Sequence, residues 1–188
     1  MKRRDHVRSA MLLACVLAAC DDAADKRETI DPQRSPYADQ QHGELRSLSA
    51  KEVEDLREGR GMGLARAAEL NSYPGPRHVL DLREPLAIDA ATAARLEAIM
   101  ERMLGEAKTL GATIVAEESE LDRAFREARI NAEEVALRTE SLAAHYARLR
   151  AVHLEAHLET KALLSEAQVA KYDALRGYTS GGGHQHGS

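Results

Sequence analysis

The sequence predicts an all-α protein: a long antiparallel helical hairpin with shorter flanking helices. Three observations predict it. Aromatic residues make up only 3% of the 188 and charged residues 30%, with Ala, Leu, Glu and Arg dominant. That mixture suits amphipathic helices and leaves little for a sheet core. Apolar residues then recur at steps of three and four along two extended stretches, the spacing of one helix face. Finally, Ser49, Asp89, Asn131 and Ser165 each stand where a helix start needs a side-chain oxygen. A core this poor in aromatics is thin, so packing between subunits is expected to add burial, and the chain is expected to form a homodimer.

The first nineteen residues read as a signal peptide. Lys2, Arg3, Arg4 and Arg8 form a basic start, and "AMLLACVLAA" is an apolar run too short to span a bilayer. The run ends in Leu17-Ala18-Ala19-Cys20, which resembles the lipobox of bacterial lipoproteins. That resemblance implies cleavage before Cys20, lipidation of Cys20, and residence in the periplasm anchored to a membrane. Asp21 resembles a signal that favours the inner membrane. Cys15 lies inside the signal, so the mature chain keeps no thiol for a disulfide, a zinc–thiolate site or a Cys nucleophile. Losing residues 1–19 moves the formal charge from −5 to −8. A chain so acidic is not expected to bind nucleic acid and is suited to attracting cations.

Residues 20–47 are polar and aperiodic and read as a tether; the folded domain is expected over 48–178. Ser49 with Glu52 forms a capping-box pattern that opens a helix near 50–58. "GRGMG" at 59–63 stops it. "LARAAEL" is a second helical piece. Pro74, Gly75 and Pro76 force a turn, with Pro76 placed to begin a short helix that carries His78. Asp89 caps a helix from about 90 to 128, with Leu96, Ile99, Met103, Ala107, Leu110, Ile114, Leu121 and Phe125 on its inner face. Glu117 and Glu118 interrupt that stripe. Asn131 with Glu134 starts the returning helix, about 132 to 162, with Val135, Leu142, Tyr146, Leu149, His153, Ala156 and Thr160 inward. Ser165 with Gln168 caps a last helix, and residues 179–188 form a flexible Gly/His tail.

A tight turn near residue 130 pairs positions whose numbers total roughly 260. His153 then faces Ala107, His157 faces Met103, and His145 comes near Ile114–Glu118. His153 and His157, four apart, lie on one helical face, with His153 in the seam and His157 at its edge. Two imidazoles so placed suit a borderline metal such as Ni, Co, Zn or Cu. The alternative is a packing histidine satisfied by a carboxylate such as Glu106. Met100 and Met103 are either core filler or thioether donors near His157. His184 and His186 in the tail form a small chelating pair. "GRGMG" lacks the flanking strand and the Lys-Ser/Thr of a phosphate loop. With no Ser-His-Asp or Cys-His arrangement, the protein is not expected to be an enzyme.

The signal, the long hairpin and Leu164-Ser165-Glu166-Ala167-Gln168 together resemble the periplasmic heavy-metal resistance and Spy/CpxP-like family, in which a Leu-Thr-x-x-Gln pentapeptide opens helices. The resemblance covers roughly residues 48–178. For the metal-sensing branch it implies ligands from the segment before the first long helix, from that helix, and from the returning helix. The matching positions are His78, Glu97 or Glu101, and His153 or His157. The N-terminal pair of histidines spaced by four in the sensors is absent here; His78 stands alone. The chaperone branch implies unfolded clients held on a concave helical face and no metal. The expected function is therefore periplasmic metal sensing or buffering, read out by a membrane partner. A chaperone or envelope-stress modulator is the alternative, and a structural lipoprotein the third reading.

Overall fold

The computed structural model describes residues 45–178 without a break, together with Ser35, Tyr37, Ala38, Gln41 and Gly43. The chain divides into two units, 1–36 and 37–188, and every described helix belongs to the second. The segment expected to be a signal peptide, with Cys20 and Asp21, most of the expected tether, and the tail with His184 and His186 lie outside the described residues.

The described fold is all-α. It comprises α1 (Ala50–Arg57), α2 (Arg66–Glu69), α3 (Pro76–Asp81), α4 (Ala90–Arg126), α5 (Ala132–Ala162) and α6 (Glu166–Leu175). Among the described residues there is no strand, and no helix is long and apolar enough to cross a membrane. The four expected caps are formed. Ser49 accepts from the Glu52 amide and Glu52 from the Ser49 amide; Ser165 and Gln168 make the same reciprocal pair. Asp89 accepts from the Thr92 amide at 2.7 Å and Asn131 from the Glu134 amide at 2.9 Å. Each satisfies an amide that the helix itself leaves without a partner. Pro76 occupies the first turn of α3 as expected, where its missing N–H costs nothing.

α4 and α5 pack as the antiparallel hairpin. Arg102 pairs with Glu159, Arg148 with Glu106 at 2.7 Å, and His145 with Glu117 at 3.2 Å, which fixes the register close to the expected one. The inner face of α4 buries Leu96, Ile99, Ala107 and Ile114, and then Val115 and Ala124. Phe125 does not join it and is 58% exposed. Beyond the Glu117–Glu118 interruption the stripe advances by threes, Leu121 to Ala124, so the inward position falls one residue before the aromatic ring.

Two apolar cores form, one along the hairpin's middle and one at its open end. In the first, α1 lays Leu56 onto Ala107, Ile114, Val115, Leu142 and Leu149, with Leu45 and Leu48 packed alongside, so packing begins inside the segment read as tether. In the second, Val79, Leu86, Leu96 and Tyr172 are buried together beneath α3 and α6. His153 and His157 lie on the stretch of α5 between the residues that serve the two cores.

The turn out of α4 carries a misfit. Ala128 adopts φ +51°, while its amide donates to the Phe125 carbonyl and the Arg129 amide to the Ala124 carbonyl. This is the left-handed helix end that glycine serves without strain. A Cβ there costs about 1 kcal/mol. Ala128→Gly is therefore expected to raise stability by about 0.5–1 kcal/mol, read as a higher urea midpoint with unchanged slope. A lower midpoint would contradict it.

Candidate functional site

A cleft of about 870 Å³ opens between the hairpin and the arm formed by residues 58–78. His78, His153, His157, Glu69, Met103 and Tyr178 all line it. Its position follows from the local sequence. The glycine-containing run 59–63 leaves α1 and crosses the hairpin, so that a Cβ on Gly61 would lie 3.8 Å from His153 Nδ1. The Pro74–Pro76 turn then brings the chain back against α5. There Gly75 is in such close approach that a Cβ would sit 2.9 Å from His157 Nε2 and Cε1. Only glycine fits against that ring.

His153 is 4% exposed, as its place in the seam predicts. Its Nε2 is buried and has no hydrogen-bond partner. Glu106, one carboxylate that could have satisfied it, is held by Arg148, whose Nε donates to it at 2.8 Å. Burial, and secondarily the neighbouring His157, lower the His153 pKa below the ordinary histidine value, so the ring is neutral at neutral pH. The sign of the linkage follows. The unfolded chain holds the proton more tightly, so the stability contributed by neutral His153 is complete above about pH 6.5. It is lost as pH falls from there through the lower folded value. His153→Gln is expected to flatten that part of the pH dependence. The check is to compare urea midpoints at pH 7.5 and 5.5 for both proteins; equal slopes would reject the assignment.

His157 sits at the seam's edge, with its side chain 12% exposed. Its Nδ1 lies 2.7 Å from the Tyr73 carbonyl oxygen. A carbonyl only accepts, so Nδ1 is the protonated nitrogen in this contact. His78 is arranged similarly, with Nδ1 3.4 Å from Glu69 Oε1. His157 Nδ1 thus has an oxygen within hydrogen-bond distance and His78 Nδ1 has one nearby, and neither Nε2 makes a hydrogen bond among the described residues.

Glu69 has no signal in the sequence that singles it out, and it organises the site. Its side chain is 13% exposed. Oε1 accepts from the Tyr172 hydroxyl and from the Tyr178 hydroxyl at 3.0 Å, with Arg176 Nε at 3.5 Å. Oε2 is buried without a hydrogen bond, 3.7 Å from His157 Nδ1. Burial first, and the Glu69 carboxylate second, hold the Tyr172 hydroxyl firmly protonated. Three further contacts fasten the arm and its neighbouring turn to α5 and α6. Ser72 donates to Asp173 at 2.6 Å, Lys161 lies 3.8 Å from the Tyr73 ring centre, and Gln168 Nε2 donates to the Leu86 carbonyl at 3.1 Å. Gln168 therefore serves twice, as a cap and as a cross-link.

The other expected ligands are elsewhere. Glu97 and Glu101 are exposed on α4 and do not line the cleft. Met100 does not line it either, while Met103 does. His145 is occupied with Glu117, which also accepts from Ser141 at 2.8 Å. Among the described residues, no three His, Cys, Asp or Glu side chains are gathered closely enough to hold a metal ion by themselves. No family model, curated protein or solved structure matches this chain.

Proposed function

We propose that the protein is a lipid-anchored periplasmic metal-binding protein, a sensor or buffer that takes a borderline transition-metal ion such as Ni, Co, Zn or Cu in the cleft. The observation that carries the reading is the state of His157 and His78. Each has Nδ1 against an oxygen, Tyr73 O for one and Glu69 for the other, and each lines the cleft. His153 lines the same cleft, with its Nε2 buried and without a hydrogen bond. The resemblance of the Leu164–Gln168 segment to the heavy-metal resistance family supports the same direction.

His78 belongs to the arm and His157 to the hairpin. An ion held by both would favour the state in which arm and hairpin are closed on each other, and a membrane partner or the second subunit of a homodimer would read that population shift. Glu97 and Glu101 have no part in this scheme.

Calorimetry on the full chain carrying His184→Ala and His186→Ala tests it, since the tail pair is then silent. Binding of Ni²⁺, Zn²⁺ or Cu²⁺ tighter than about 10 µM is expected, with affinity reduced about 100-fold in His157→Ala. Absence of binding by all three ions rejects the reading. The chaperone alternative rests on Phe125 and Leu137, 58% and 62% exposed near the hairpin turn. It predicts that Phe125→Ser/Leu137→Ser lowers suppression of client aggregation and leaves metal affinity unchanged.

A further inference from the structure

The cleft is much larger than a hydrated ion needs. A metal ion with six waters occupies about 200 Å³, taking about 30 Å³ per water, against about 870 Å³ here. A volume of this size is that of a small-molecule pocket. Its charge also runs against a bare cation. Four basic side chains line it, Arg60, Arg66, Arg77 and Lys108. Two are neutralised: Arg60 by Asp55 at 2.8 Å and Glu54 at 2.7 Å, and Lys108 by Glu58 at 3.1 Å. Arg66 and Arg77 have no carboxylate partner among the described residues. Glu69, the acidic group nearest the histidines, is already engaged by two tyrosine hydroxyls. The cleft thus presents two imidazoles beside two guanidinium groups that have no carboxylate partner among the described residues.

From this combination we infer that the cleft takes its metal as an anionic chelate, a transition-metal ion already carried by a small di- or tricarboxylate. The imidazoles of His157 and His78 complete the coordination, and Arg66 and Arg77 bind the chelator's outer carboxylates. Guanidinium groups suit this task because their planar N–H pairs match a carboxylate edge. The inference rests on the metal reading above and names its cargo.

The test is calorimetry with three probes, Ni²⁺ alone, citrate alone and the preformed Ni²⁺–citrate complex. The protein is again the full chain with His184→Ala/His186→Ala. The complex is expected to bind at least tenfold tighter than either component. Arg66→Gln/Arg77→Gln should remove that advantage and change the affinity for Ni²⁺ alone less than threefold. His157→Ala should weaken both Ni²⁺ and the complex. His157→Gln, which keeps a donor for the Tyr73 carbonyl, separates ligand loss from disturbed packing. If Ni²⁺ alone binds as tightly as the complex, the chelate inference fails and the metal reading stands. If citrate alone binds as tightly as the complex, or if no probe binds, the chelate inference fails, and the metal reading fails with it only if Zn²⁺ and Cu²⁺ alone also do not bind.

Discussion

Gly111→Ala is expected to destabilise the fold by about 2–3 kcal/mol and to lower Tm by roughly 8 °C. A Cβ at this position would lie 1.9 Å from the Leu56 carbonyl oxygen, 2.5 Å from its carbon and 3.1 Å from its Cα. These are backbone atoms of the last turn of α1, so no side-chain rotation relieves the overlap and α1 itself must move. Leu56 is 2% exposed. Lifting it from the first core forfeits much of the ~2 kcal/mol that a buried leucine contributes. Alanine's better helix propensity returns only about 1 kcal/mol. Gly105 lies in the same helix, and a Cβ there would meet nothing within 4 Å. Gly105→Ala is therefore expected to be neutral or to stabilise by up to about 1 kcal/mol. Thermal melts of the two variants decide the matter: if both raise Tm, α1 does not cross α4 this closely.

Removal of the Glu69 side chain is expected to have a comparable effect, about 3 kcal/mol for Glu69→Ala. Tyr172 is fully buried and its hydroxyl donates to Glu69. Without an acceptor that hydroxyl keeps its full desolvation penalty, about 1–3 kcal/mol. The contacts of Tyr178 and Arg176 go with it, partly replaced by water. Glu69→Gln retains one oxygen acceptor and should cost about 1 kcal/mol. The discriminating variant is the double change Glu69→Ala/Tyr172→Phe, which deletes donor and acceptor together. It is expected to be more stable than Glu69→Ala alone, because a missing pair costs less than an orphaned partner. A double variant less stable than the single would show that Glu69 acts through something other than the tyrosine.

The elements readable in the sequence were those whose causes are local. Helix starts were marked by Ser49, Asp89, Asn131 and Ser165 because a cap lies three residues from the amide it satisfies. The hairpin register followed from a short turn, and the depths of His153 and His157 from helical phase alone. Phe125 broke the pattern because the stripe shifts after Glu117 and Glu118, and periodicity read across such an interruption drifts. The cleft was readable only in part. Its hairpin wall comes from one periodic helix, and His78 was placed by Pro76. Glu69 was hidden, since it meets Tyr172 and Tyr178 across separations of 103 and 109 residues. No spacing rule reaches that far. Of the partners that the sequence leaves open for His153, the carboxylate Glu106 is taken by Arg148.

Those separations have a kinetic consequence. The hairpin forms from neighbours joined by a short turn, and closing such a loop is fast; contacts that join distant parts of a chain form late. The Glu69–Tyr172, Ser72–Asp173 and His157–Tyr73 contacts span 103, 101 and 84 residues. The arm is therefore expected to dock after the hairpin exists. In the native protein it is also the piece able to leave first, by a sub-global opening that keeps α4 and α5 paired. A ligand that needs both walls binds only the fully docked form. Its signature in amide hydrogen exchange would be slower exchange across residues 66–78 and α6, with the centre of the hairpin unchanged.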